Sequence, residues 1–467
     1  MSRWSLAAVS MLCVSGCSTI GMAPEGNREI VAPAEFHFAP AGTLAVSREL
    51  SALLPVEDPA FQSLLVRAEQ APNLELALAR IDAARAVTAR AKAERKPDIG
   101  LGASARGVKT NPNRFGTFPA GISLDATQLE LGGQISARWD PDIFGGLRNA
   151  ELAAQHRLDA AGFEAQAVRI AIKAEVAAAV VDWQNMRDQQ AVFASSIASA
   201  EDRAQLIASR VRAGISPGFD SLRAEALVES LTAQLSALEG EQAAIVARMV
   251  ALTGAPAELV LEDLNKSPGT WRSRTSVSAV PSTVLAARPD IQAAAARLAA
   301  TDADLAAVAA QRFPRFTLSS ALGLLSLSFG GLFSNDAIVG LLGGEVAGPL
   351  LDFGRVEAEI DESRAQGRIA FAELRRDTFA ALGETEEAFG RLSSADAEAR
   401  MLRQQAERDA DVASLAATRY RSGLENFIVV LDADRNAYAA RQAAIASEAR
   451  AARARLVLWQ SLGGPTG

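Results

Sequence analysis

Histidine and cysteine are almost missing from this sequence, with two of each in 467 residues. That leaves little material for a metal site or for an acid–base or nucleophilic constellation. His37 lies in a Pro-rich N-terminal stretch and His156 in a long helical pattern, so each reads as an ordinary surface residue. No catalytic group, metal ligand set or cofactor is expected. Methionine is scarce, at six residues, which disfavours a dedicated soft-metal path. No Lys/Arg cluster stands out against the net charge of −8, which excludes nucleic acid as a partner. Gly132-Gly133 and Gly343-Gly344 lack the Lys-Ser/Thr that follows a phosphate loop. Beyond the N-terminal segment no apolar run reaches the ~18 residues of a transmembrane helix. Aromatics make up only 5%.

What is present is an alphabet of strong helix formers: Ala, Leu, Arg, Glu and Gln. This is the composition of long helices and coiled coils. The chain begins as a targeting signal, with Arg3 basic and Leu6 to Val14 apolar. Val14-Ser15-Gly16-Cys17 follows and resembles a lipobox, implying a signal peptide over 1–16 and acylation of Cys17. Several acyl chains would hold the protein stably on a membrane, where one is marginal.

The sequence then says the same thing twice. Gly145, Gly214 and Gly254, each in a similar local context, recur as Gly354, Gly423 and Gly463, at one constant spacing of 209 residues. A single spacing over three landmarks means no net insertion across this part of the two halves. We therefore divide the mature chain into an N-terminal anchor and equatorial segment (17–62), a first repeat (63–254), an inter-repeat equatorial segment (255–282) and a second repeat (283–467). Residues 145–213 and 354–422 are Pro-free and Ala-, Glu- and Arg-rich, and read as long helices. Each would span roughly 100 Å at 1.5 Å per residue, far beyond a globular helix. Gly214 and Gly423 stop them, and return helices follow over 219–253 and 428–462. Shorter helical segments lie near 63–96 and 283–313, opening with Pro72-Asn73 and Pro289-Asp290 chemistry. A short and a return helix end to end nearly match one long helix, which predicts an antiparallel wall.

Each repeat also carries two strands. Residues 98–108 and 127–139 alternate, with Ile99, Leu101, Leu129, Leu131, Ile135 and Trp139 opposite Asp98, Arg106, Glu130, Gln134 and Arg138. Residues 315–328 and 337–350 alternate poorly and are apolar and Gly-rich. The connecting loops, near Asn111 to Gly121 and Phe329 to Asp336, carry turn residues. Four strands cannot close a barrel, and open edges in lipid cost several kcal/mol per unpaired group. If these strands enter a membrane, several chains share one barrel; three would give about twelve strands and a passage.

These landmarks together resemble the outer membrane factors, the TolC-like channels of efflux pumps and secretion systems, with a lipid anchor similar to the OprM and NodT branch. The most specific stretches are Arg288-Pro289-Asp290-Ile291, the corner from Trp139-Asp140 to Gly145, Tyr420-Arg421-Ser422-Gly423, and Leu431-Asp432-Ala433-Asp434-Arg435. The resemblance implies a mainly α protein with membrane β: a homotrimer with a twelve-strand barrel in outer-membrane lipid above an α-helical tunnel in the periplasm. It implies a passive exit duct for substrates handed over by an inner-membrane transporter and a periplasmic adaptor (membrane fusion) protein. Two alternatives are the outer-membrane component of a type I protein secretion system and a non-conducting coiled-coil adaptor lipoprotein.

The resemblance also implies site residues. Adaptor-contacting tips would be Arg212, Gly214, Ile215 and Ser216 in the first turn, and Arg421, Gly423, Leu424 and Glu425 in the second. A plain helix–turn–helix stop would select the same glycines, and a helix C-terminus favours Arg regardless of partner. The periplasmic gate would be Ile428 and Asp432, four residues apart and so on one helix face, with Tyr420 and Arg435 as tethers. Three copies of Asp432 would place like charges together; the alternative is that Asp432 and Asp434 solvate an exposed face.

Overall fold

The structure is a computed structural model that describes residues 29–40, 52–109, 127–269, 271 and 279–464. Cys17 and the loop near 111–121 lie outside the described residues. The elements in chain order are α1 (Pro59–Ala68), α2 (Pro72–Glu94), β1 (Asp98–Lys109), β2 (Thr127–Trp139), α3 (Gly146–Arg212), α4 (Gly218–Thr253), α5 (Ala257–Leu264), α6 (Pro281–Ala287), α7 (Pro289–Ala309), β3 (Arg315–Ser326), β4 (Ile338–Ala347), α8 (Arg355–Arg421) and α9 (Phe427–Ser461). The helices α3 and α8 are 67 residues each and begin and end 209 positions apart, as their glycine landmarks do. No single helix among the described residues is long and apolar enough to cross a membrane.

The segments near 63–96 and 283–313 are each two helices. α1 starts at Pro59, inside the stretch assigned to the N-terminal segment, and Pro72 begins α2. Pro289 likewise separates α6 from α7. The physical reason is the missing proline N–H and its fixed φ, which suit a helix start and break a continuing helix. Asp58 caps α1, its Oδ1 accepting from the Ala60 N–H at 2.8 Å. A short 3-10 turn, Ala310–Arg312, finishes α7.

The contacts divide the chain into two units. One contains the strands, which form a single antiparallel sheet in the order β1-β2-β3-β4. Its register sorts the side chains by face. Ile99 pairs with Ala137, Leu101 with Ile135 and Ala105 with Leu131. Ile135 in turn pairs with Leu322 and Trp139 with Leu318, and Leu324 with Ile338. One face therefore carries an apolar stripe across all four strands. The other carries Asp98 opposite Arg138, Arg106 opposite Glu130, and Thr317 opposite Glu345. Slipping any strand by one residue would exchange the faces. The weak alternation of β3 and β4 was thus no obstacle, because their partners fix their register.

Gly323 shows how closely β2 and β3 approach: a Cβ there would sit 2.4 Å from the Gly133 carbonyl oxygen. Among the described residues nothing covers the apolar stripe, and Leu101 is 85% and Leu342 84% exposed. Each outer strand is paired on one side only among the described residues.

The corners that launch α3 and α8 use one carboxylate each. Asp142 accepts from the Leu147 and Arg148 N–H groups at 2.9 and 2.7 Å. Asp352 accepts from those of Gly354 and Val356 at 3.2 and 3.0 Å. Each satisfies donors that a helix N-terminus leaves unpaired.

The second unit holds the main core. Trp183, Trp459, Met186, Met249, Ile207 and Leu458 are fully buried, each such side chain contributing about 1.5–3 kcal/mol relative to exposure. Buried Ala177, Ala179, Ala440, Ala444 and Ala451 let helices approach closely at little side-chain entropy cost. The inter-repeat segment joins this unit through α5. Asp263 is buried beneath Arg67 and Lys266. Burial would raise its carboxyl, but the hydrogen bonds from Arg67 and Lys266 outweigh that and hold it below its ordinary value.

Gly323→Ala is expected to destabilise the protein by about 1–3 kcal/mol through overpacking between β2 and β3. Gly343→Ala, whose Cβ would meet its nearest neighbour at 3.7 Å, is expected to cost less. Thermal unfolding of the two variants side by side in detergent checks the order.

Candidate functional site

The two helix-to-helix turns are built alike. Gly214 and Gly423 adopt φ of 71° and 73°, a conformation open to glycine at no steric cost. The Ile215 N–H donates to the Arg210 carbonyl at 2.8 Å and that of Gly214 to Val211 at 2.9 Å. The Leu424 N–H donates to the Arg419 carbonyl, and that of Gly423 to Tyr420, both at 3.0 Å. This paired closure is the Schellman motif. It throws the next side chain outward: Ile215 is 69% and Leu424 67% exposed, at equivalent positions of the two repeats. Arg212 and Arg421 are exposed beside them, while Ser216 and Glu425 are half-buried. The Arg421 Nε donates back to the Ala417 carbonyl at 3.3 Å, and Arg419 lies 3.7 Å from Glu425.

After the second turn, Asn426 caps α9, its Oδ1 accepting from the Val429 N–H at 3.3 Å. Ile428, Asp432 and Arg435 then fall on one exposed face of α9. Asp432 and Arg435 have no hydrogen-bond or ion-pair partner among the described residues. Tyr420 is not beside them. It is buried, its ring 5.9 Å from that of Phe427 and 4.5 Å from the Arg210 guanidinium. Its hydroxyl has no partner among the described residues. The chain by itself therefore gathers Tyr420 with Arg210 and Phe427, and leaves Ile428, Asp432 and Arg435 as a separate outward surface.

The opposite face of α9 holds a residue that sequence reasoning left as a surface carboxylate. Asp434 is only 2% exposed. The Arg203 guanidinium on α3 donates to its carboxylate and, through the same nitrogen, to the Tyr438 hydroxyl at 3.2 Å. Burial pushes the Asp434 carboxyl up to about 6, against the opposing pull of Arg203. Burial and the Asp434 charge also raise Tyr438. A signal for Asp434 was present: Phe427, Val430, Leu431, Ala437 and Tyr438 have the helical spacing of a buried stripe, and Asp434 falls within it.

Further along, Asp182 on α3 is buried and accepts from Arg248 on α4 at 2.7 Å and from Arg453 on α9 at 2.6 Å. On its other side α9 meets α8 through Arg403–Glu448 at 2.8 Å, Arg450–Glu398 at 2.6 Å and Arg455–Asp396 at 2.5 Å. Of these, Arg450–Glu398 is exposed and contributes at most about 1 kcal/mol, while the other two are part-buried; the apolar stripe holds α9 and the charges set its register. Among the described residues no group of His, Cys, Asp or Glu could hold a metal ion.

Nothing lies within 4 Å of a Cβ placed on Gly214 or Gly423. Alanine at either position is therefore expected to cost only the left-handed backbone penalty, about 1–2 kcal/mol. Asparagine should cost less than alanine, and denaturant unfolding of the four variants measures both.

The family described as "Outer membrane efflux protein" matches residues 66–255 and 280–464, one stretch in each repeat. The pyoverdine export outer membrane protein OpmQ of Pseudomonas aeruginosa is 27% identical over 467 residues, 99% of this chain and 97% of that protein. The toluene efflux pump outer membrane protein TtgF of Pseudomonas putida is 27% identical over 410 residues, 87% of this chain and 84% of that protein. The solved structure of the outer-membrane channel OprN matches with a TM-score of 0.85 at 25% identity, over 94% of this chain and 98% of that one. With its duplicated helices and its four-stranded antiparallel sheet, the chain belongs to the outer membrane efflux protein family.

Proposed function

We propose that this chain is one third of an exit duct in the outer membrane, through which an inner-membrane pump and a periplasmic adaptor discharge their cargo. The observation that carries the reading is the sheet. Among the described residues its outer strands are paired on one side only, and its apolar stripe is exposed. Such edges do not persist in lipid, because each unsatisfied backbone group costs several kcal/mol. Three chains joined edge to edge satisfy them and put the apolar stripe outside and the charged face toward a wet lumen. Acylation at Cys17 would add a second hold on the same membrane.

The remaining roles follow from the surfaces. The turns at Arg212–Ser216 and Arg421–Glu425 present Ile215 and Leu424 to an adaptor. The face of α9 with Ile428 and Asp432 narrows the duct, and Arg435 is a tether to a neighbouring subunit. Tyr420 supports the turn from within. Work is done by the pump; this chain supplies a path whose gate shifts in population as the adaptor binds. Relatives aligned over most of this chain are named for pyoverdine export and for toluene efflux, which supports cargo being chosen upstream.

In detergent the protein is expected to have the mass of three chains, and in a planar bilayer to give discrete conductance steps. Asp432→Ala should raise the step size or the open time by removing charge from the constriction. A single-chain mass, or a silent bilayer, would argue for a non-conducting lipoprotein instead. Ile215→Asp with Leu424→Asp is expected to lower efflux in cells at least tenfold while leaving the bilayer conductance intact, because only adaptor docking is lost.

A further inference from the structure

The two return helices, α4 and α9, are equivalents by duplication, yet their buried acids do not correspond: α4 buries Asp220 in its first turn, at the position of Val429, whereas α9 buries Asp434. The position matching Asp434 in the first repeat is Glu225, which is exposed and accepts from Ser221 on its own helix at 2.9 Å. The position matching Arg203 is Val412, which is 55% exposed. The Arg203–Asp434 pair is therefore no relic of the duplicated fold. It occurs once, on the helix whose other face carries Ile428 and Asp432, and two residues from Asp432.

We propose that the buried Arg203–Asp434 pair, braced by Tyr438, is a proton-controlled seat for the gate helix: acid holds α9 against α3, and neutral pH frees it to move. Asp434 and Arg203 are positioning residues acting through α9. The proposal rests on the reading of Ile428 and Asp432 as a gate.

The charged and titratable groups about the seat are few. α3 presents Arg203 and Asp202, α8 presents Tyr420 and Arg421, and α9 itself contributes Tyr438 and Arg441. Of these, only Arg203 both pairs with the Asp434 carboxylate and acts on its ionisation. Burial dominates, so the protonated form is the one the seat prefers, with a pKa of about 6. When α9 leaves α3 the carboxyl meets water and its pKa falls toward the ordinary value near 3.9. A carboxyl whose pKa is raised in the packed state stabilises that state at low pH, and the stabilisation is lost as pH rises through about 6. Between pH 7 and pH 5 the seated arrangement gains about tenfold per chain by this linkage.

Hydrogen exchange over residues 427–438 of the full-length trimer in detergent reads the seat directly. After correction for intrinsic exchange, the wild type is expected to exchange about tenfold more slowly at pH 5 than at pH 7. Asp434→Asn should match the wild type's slow rate at both values, and Asp432→Asn should keep the full response. Arg203→Met with Asp434→Met, which replaces the pair by apolar groups of similar size, should assemble as a trimer and show no response. A flat wild-type profile, or a response that survives Asp434→Asn, overturns the seat. Open probability in a planar bilayer should change over the same pH interval in the wild type and not in Asp434→Asn. Exchange that follows pH while open probability stays flat overturns the gate reading instead, and with it the control of the gate by the seat.

Discussion

Along the outer edges of β1 and β4 the backbone has donors and acceptors with no strand partner among the described residues. In water such edges invite aggregation; in lipid they cannot persist at all. This constraint reaches far beyond the sheet. It makes the chain a fragment of a larger object, and it explains why Ile99, Leu101, Leu322 and Leu342 are exposed in register on one face. At the corners after β2 and β4, the Asp142 and Asp352 carboxylates accept from N–H groups at the starts of α3 and α8, so each strand pair hands over to its helix with part of the helix end already satisfied.

The helical unit answers a different problem. A 67-residue helix has far more surface than its own side chains can cover, and needs neighbours along its whole length. Alanine at the contacts brings backbones close, and tryptophan and methionine fill the wider layer around Trp183, Met186, Met249 and Trp459. Charge then fixes alignment. α9 is held to α3 by an acid on one helix and an arginine on the other, with the polarity reversed between Arg203–Asp434 and Asp182–Arg453. A slide of α9 along α3 would break both pairs, and a buried carboxylate without its partner is far more costly than an exposed one.

Duplication gave the chain two copies of each part, and the copies have since diverged. The two turns remain equivalent down to their hydrogen bonds and their outward Ile215 and Leu424. The two return helices do not: α9 has an exposed face with Asp432 and a buried one with Asp434, where α4 has the exposed Glu225.

The duplication, the lengths of α3 and α8, their glycine stops and the first strand pair were set by the sequence alone, because each depends on residues near one another in the chain. A Schellman turn is decided within six residues and strand alternation within ten. The breaks at Pro72 and Pro289 were visible as helix starts, and Asp58-Pro59 and Pro281 begin α1 and α6 by the same local chemistry. Only the tertiary structure decided the rest. It gave β3 and β4 their faces through β2, buried Tyr420 against Arg210 and separated it from Asp432, and turned Asp434 inward to meet Arg203, 231 positions earlier in the chain. A side chain's partner across helices depends on rotation about the helix axis, where one residue turns the direction by about 100°. Local sequence fixes that angle only loosely, and packing fixes it firmly.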